Sequence, residues 1–203
     1  MKKIILLICL VLFLFAGSMA QKADLNSDFP RNDVRISYGM TTVNQIALTM
    51  LVTTSSIFII PLDTALRISV SGYGAFAFQY QYRLSKLIQL GALVTYNPGS
   101  FEIRYDKGTT SYTSSMFLSF MPRVDFTYIR KPLFTLYSGI ALGATYMLFR
   151  NNYTNQPDDV SSGVAFGFQL NGIGIRVGKD IGGFLEIGFG SQGLFNFGVS
   201  ARL

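Results

Sequence analysis

From Phe195 to Leu203 the chain alternates without interruption, with Phe195, Phe197, Val199, Ala201 and Leu203 on one side and Asn196, Gly198, Ser200 and Arg202 on the other. A period of two places all the bulk on one face of a β-strand. A last strand of this kind suits a membrane β-barrel, whose wall meets lipid outside and a polar lumen inside. In hydrocarbon such a strand must also pair with the first one, because an unpaired edge there is prohibitively costly. The run therefore predicts an all-β chain closed into an antiparallel transmembrane barrel.

The amino-terminal segment predicts where that barrel goes. Lys2 and Lys3 precede an apolar run from Ile4 to Ala16, and Ser18-Met19-Ala20 supplies the small residues of a cleavage site. Residues 1–20 read as a secretory signal, 21–32 as a polar periplasmic lead and 33–203 as one barrel domain in the outer membrane. The single cysteine, Cys9, falls inside the signal, so the exported chain has no disulfide and must draw its stability from another source such as a closed hydrogen-bonded sheet. Loss of Lys2 and Lys3 lowers the formal charge from +6 to +4, an excess too scattered to predict nucleic-acid binding.

Eight strands are expected. The first covers Asp33–Met40. Thr41–Asp63 is a long loop in which Thr42-Val43-Asn44-Gln45 fits a helix capping box, and Val43, Ile46, Met50 and Leu51 would share one apolar helical face. A membrane helix over Val43–Leu62 and an extension of the next strand by Ile57–Ile60 are the alternatives. Leu66–Tyr82 is the longest alternating run, with Leu66, Ile68, Val70, Phe76 and Phe78 outward and Arg67 inward. Leu87–Tyr96 returns, Asn97-Pro98-Gly99 marks a loop, and Lys107–Ser111 is its tip.

Tyr112–Ile129 carries Arg123 and Asp125, which must point inward, since arginine on the lipid face near midplane costs about 2–4 kcal/mol. Pro122, lacking an amide donor, invites a bulge. Phe134–Leu148, a polar loop at 151–162, and a strand through Val164 follow; a slip of phase near Asn171-Gly172 predicts a bulge that leaves Arg176 inside. Leu185, Ile187 and Phe189 face out with Glu186 inward, and Ser191-Gln192-Gly193 turns into the last strand. Long and short connections largely alternate, as outer loops and periplasmic turns should, and an even strand count lets both termini meet on the periplasmic side.

The run Phe29-Pro30-Arg31-Asn32-Asp33-Val34-Arg35-Ile36-Ser37-Tyr38-Gly39 with Thr42-Val43-Asn44-Gln45-Ile46 resembles the start of a family of uncharacterised small outer-membrane β-barrel proteins from Gram-negative anaerobes. Phe168-Gln169-Leu170-Asn171-Gly172-Ile173-Gly174-Ile175-Arg176-Val177-Gly178-Lys179 and Gly188-Phe189-Gly190 resemble its later signature. The resemblance implies an eight-stranded barrel of the OmpA/OmpX kind and brings no catalytic or ligand residues. The last strand ends in Leu203, where many outer-membrane strands end in an aromatic.

Arg67, Arg123, Asp125, Arg176 and Glu186 are the candidate lumen network. An eight-stranded barrel is just wide enough for side chains to fill, so these residues are expected to form an ion-pair plug, with Arg123 or Arg176 as the partner of Glu186. Lining a narrow solute or ion channel is the rival role. His 0 removes the base that hydrolytic outer-membrane barrels set beside their nucleophile, and no cofactor or metal is expected. The expected role is structural or adhesive, non-enzymatic and monomeric. Its partners would be outer-membrane lipid and a surface protein or host ligand met by loops 41–63, 97–111 and 150–162.

Overall fold

The computed structural model describes residues 30–50, 66–72, 74–105, 110–153 and 159–203. The expected signal, most of the lead, Leu51, the Ile57–Ile60 segment and most of the Lys107–Ser111 tip lie outside the described residues. Among the described residues, no helix is long and apolar enough to cross a membrane.

The chain forms β1 (Asn32–Met40), β2 (Leu66–Gly72), β3 (Ala75–Arg83), β4 (Ile88–Tyr105), β5 (Thr110–Arg130), β6 (Phe134–Tyr153), β7 (Asp159–Gly178), β8 (Ile181–Gly190) and β9 (Phe195–Arg202). All pairings are antiparallel, and β1 lies between β3 and β9, which closes the sheet. Closure follows the alternation: Val34, Ile36 and Tyr38 stand opposite Ala201, Val199 and Phe197, one apolar face continuing into the next. The Tyr38 and Phe197 rings meet at 5.9 Å. Both β2 and β3 pair along one edge of β4, so the nine strands make an eight-stranded barrel whose second stave is split.

That split corrects the expectation of one strand over Leu66–Tyr82. Gly72 pairs with Gly99 but Phe76 with Tyr96, so the upper and lower segments differ by one residue in register. One extra residue is a β-bulge and reverses the alternation. Gly74 makes it possible: its φ is 76°, and a side chain there would run into the Tyr38 ring and the Gly39 carbonyl. Two further expectations change. Asn97-Pro98-Gly99 is not a loop but continuous strand within β4. Pro122 causes no register shift; the bulge of β5 lies between Thr127 and Ile129. The bulge expected near Asn171-Gly172 is present, as a register shift between Asn171 and Ile173.

The two faces of the barrel differ in polarity. Outside, Phe166 is 71% exposed, Ile36 63% and Phe120 60%, within a band that includes Phe78, Leu142, Leu185 and Phe197. Inside, Gln79, Gln81, Ser119, Asp125 and Glu186 are wholly buried. The barrel is also uneven in height. β1 and β9 hold nine and eight residues, whereas β5, β6 and β7 hold 21, 20 and 20. The surplus lies at the end away from the short turns, where β2 alone adds roughly 20 Å of strand.

Candidate functional site

At the level of Arg35 the lumen is crossed by an ionic cluster. Arg123 and Asp125 come from β5, and because residues two apart share a face, both point inward. Arg123 Nε donates to Asp125 Oδ1 at 2.7 Å, and its Nη2 and Nη1 donate to Glu186 Oε1 and Oε2 on β8 at 2.7 and 3.3 Å. From the opposite wall, Arg35 on β1 donates to Asp33 Oδ2 at 3.0 and 3.2 Å, to Asp125 Oδ2 at 3.2 Å and to Glu186 Oε1 at 3.5 Å. Its guanidinium centre lies 4.7 Å from the Tyr137 ring centroid on β6, so this side chain spans the lumen.

Two neutral donors complete the site. Tyr137 Oη donates to Glu186 Oε1 at 2.8 Å and Asn171 Nδ2 to Glu186 Oε2 at 2.7 Å. Every oxygen of Asp125 and Glu186 therefore accepts a guanidinium N–H. Arg202 Nε approaches Asp33 Oδ2 at 3.8 Å, bringing three guanidinium groups to three carboxylates. Buried charges persist only under such mutual satisfaction. Room for it comes from Gly139, opposite Asp125 in register: a Cβ there would strike Asp125 Oδ1 and lie 3.1 Å from Arg123 Nη2.

Layers above the cluster fill the lumen further. Ala77, Leu93, Met121 and Ala141 form a buried apolar group. Ser191-Gln192-Gly193, expected as an outer hairpin, turns inward: Gln192 accepts from Arg123 at 3.4 Å, donates to Ser37 Oγ at 3.1 Å and receives the Gln169 side-chain oxygen on its amide at 2.8 Å. Higher still is the loop helix, residues 43–50. Its capping box forms as the sequence suggests, Gln45 N–H to Thr42 Oγ1 at 3.2 Å and Thr42 N–H to Gln45 Oε1 at 3.0 Å. Asn97 donates to Thr42 Oγ1 from the barrel wall.

The expected residues are not all together. Arg123, Asp125 and Glu186 form the cluster, with Arg123 rather than Arg176 as the carboxylate's partner. Arg176 is buried nearer the turns, donating to Ser200 Oγ at 2.5 Å and to the carbonyls of Gly178, Lys179 and Asp180 at 2.5, 3.1 and 3.2 Å. Arg67 is elsewhere. The shifted register pairs it with Arg104, roughly 40 Å along β4 from Gly91, the residue opposite Arg123. Arg35, Asp33, Tyr137 and Asn171 were not singled out from sequence, although alternation put all four on polar faces.

The helix presents a different face from the one expected. Leu48 is its buried residue, packed with Phe117 and flanked by Phe101, Met147 and Phe149. Val43 and Ile46 are half-buried, Met50 is 65% exposed, and Leu51 lies outside the described residues. Among the described residues, no group of acidic, histidine or cysteine side chains is arranged to hold a metal. The chain matches no protein-family model and no curated protein sequence. Its eight-stranded antiparallel barrel is compatible with an OmpA/OmpX-like fold.

Proposed function

We propose that this protein is an outer-membrane barrel with a plugged lumen that acts without catalysis, by bracing the envelope and presenting its outer extension to a surface partner or host ligand. The observation that carries the reading is the polarity of the wall. Large apolar side chains cover the outside and an interlocked set of charges fills the inside. That is the reverse of a water-soluble domain and the pattern a bilayer stabilises. The amino-terminal signal and the resemblance to small outer-membrane barrels of Gram-negative anaerobes accord with it. The tall edge formed by β2 and β4 to β7, beside the capped helix, is the surface a partner would meet.

A second reading has its own observation. On the β3 and β4 wall, the side-chain atoms of Gln79 and Gln81 and the Gln89 oxygen are buried without a hydrogen-bond partner among the described residues. Buried amides of this kind are satisfied by water. A hydrated strip beside the cluster would favour a narrow channel.

Planar bilayers separate the two. Verified folded protein, shown by a boiling-dependent gel shift, should give no reproducible conductance, while protease applied to intact cells should clip the outer extension. Conductance that changes in Glu186→Gln would replace the plug with the channel, and cleavage only after the envelope is opened would overturn the orientation.

A further inference from the structure

Where the loop helix meets the barrel wall, the lumen holds a cavity of about 200 Å³. The helix, residues 43–50, sets Gln45, Leu48 and Thr49 along one side of it. Across from them stand Asn97 of β4 and Phe117 of β5. Odd-numbered residues of these two strands point inward here, so Asn97 and Phe117, 1% and 5% exposed, form the floor. Ser71 and Gly72, the last residues of β2, also line the cavity and are exposed, as is Thr49. The cavity therefore opens to solvent between the helix and the end of β2.

Two glycines keep the space clear. Gly72 and Gly99 stand opposite each other in register, a cross-strand pair without side chains. A Cβ on Gly72 would strike the Gln45 side-chain amide, and one on Gly99 would lie 2.9 Å from Ser115 Oγ. A ligand atom resting over Gly99 is thus within hydrogen-bond reach of Ser115. Beside them, two buried polar groups lack a partner among the described residues. Asn97 donates to Thr42 Oγ1 with one end of its amide, and Oδ1 at the other end is unpaired. Ser115, 5% exposed and opposite Gly99 in register, has an unpaired hydroxyl. Burying such groups unpaired opposes folding, and a ligand that pairs them draws binding free energy from doing so.

The lining also limits the kind of ligand. None of the described residues around the cavity is charged; amides, hydroxyls and bare backbone adjoin Leu48 and Phe117, whose ring is held edge-on to that of Phe149 at 5.8 Å. An ion would find no counter-charge there, and an acyl chain would leave Asn97 Oδ1 and Ser115 Oγ unpaired. A sugar ring matches both features, with hydroxyls around its rim that donate and accept and C–H faces that lie on apolar side chains. We propose that the cavity binds one neutral pyranose unit, its hydroxyls on Asn97 Oδ1 and Ser115 Oγ and its apolar face on Leu48 and Phe117. The volume is below the roughly 300–1,000 Å³ of sites for drug-sized ligands, which restricts it to a single ring. A free sugar and the terminal unit of a glycan share this chemistry. Binding stands on the cavity alone; that the sugar arrives from outside the cell rests on the orientation proposed above.

The test uses the mature chain folded in a zwitterionic detergent without sugar headgroups, with a boiling-dependent gel shift to verify each variant. Methyl glycosides of glucose, galactose, mannose and N-acetylglucosamine are titrated by saturation-transfer NMR. Saturable binding of at least one is expected. It should be about three- to tenfold weaker in Asn97→Leu and in Ser115→Ala, each of which removes one neutral hydrogen bond, and Ser115→Ala leaves the Asn97 contact with Thr42 in place. Thr49→Phe, which fills the mouth from an exposed position, should abolish binding, and Met50→Gln, on the exposed next residue, should leave it unchanged. An oligosaccharide ending in the bound unit should bind as well as the glycoside if the source is a glycan, and fail to bind if it is a free sugar. No saturable binding of any of the four glycosides, or binding that Ser115→Ala and Thr49→Phe both leave unchanged, overturns the proposal. Sugar binding by detergent-folded protein whose outer extension resists protease on intact cells would overturn the orientation and leave the site standing.

Discussion

Replacing Glu186 with alanine tests whether the ionic cluster is sealed from water. In the parent, Glu186 is wholly buried and accepts from Arg123, Arg35, Tyr137 and Asn171. Three guanidinium groups then face three carboxylates; the substitution leaves three against two, with a buried positive charge and two neutral donors stranded. Removing one partner of a buried ion pair costs about 3–5 kcal/mol. Against a typical stability of about 5–15 kcal/mol, this is a large fraction. With Trp 0, urea unfolding of the detergent-folded protein is best followed by circular dichroism. Glu186→Gln keeps the volume and one acceptor, so it should fall between the parent and Glu186→Ala. The double variant with Arg123→Met removes the orphan as well, and a coupling of about 2–3 kcal/mol is expected in the cycle. A loss below about 1 kcal/mol for Glu186→Ala would mean that water already screens the cluster, and the sealed lumen would have to be abandoned.

Three further outcomes are expected. Gly139→Ala places a Cβ against Asp125 Oδ1 and beside the Arg123 guanidinium, so overpacking should cost about 1–3 kcal/mol in the same unfolding measurement, and an unchanged midpoint would refute the tight fit. Phe120 shares a row with Val94, Phe78 and Ile36, and Ile36 stands at mid-height on the short strand β1. Phe120→Arg should cost about 2–4 kcal/mol in lipid vesicles, and a cost near zero there would count against a membrane wall. Thr42→Ala removes the helix cap and the acceptor of Asn97, which should weaken the loop helix by about 1 kcal/mol and speed protease cleavage in the first loop; an unchanged cleavage rate would show that the cap does not hold the helix.

Much of this architecture was legible in the chain because a barrel wall enforces a period of two everywhere. Phe195–Leu203 and Asp33–Met40 alternate, so their closure was readable, and so were the inward directions of Arg123, Asp125 and Glu186. The phase slip at Gly172 was readable for the same reason, since a bulge there moves apolar residues to the other parity. The capping box needs only a four-residue spacing, and it too was visible. Alternation fails where polarity does not mark the face. The bulge at Gly74 lies between segments that keep the same apparent parity, so Arg67 was misplaced. Asn97-Pro98-Gly99 has turn composition, yet its register with β5 holds it in the sheet.

Which side chains face inward along most strands follows from the order of residues alone, because it depends on near neighbours in the chain. That order does not say which of them meet. Arg35 and Glu186 are 151 residues apart, and their contact follows from strand stagger and the closing of eight staves around a lumen one side chain wide. The same closure separated Arg176 from Glu186 and folded Gln192 inward. Those relations depend on the shear of the barrel, a sum over every register and bulge, and only the tertiary structure fixes that sum.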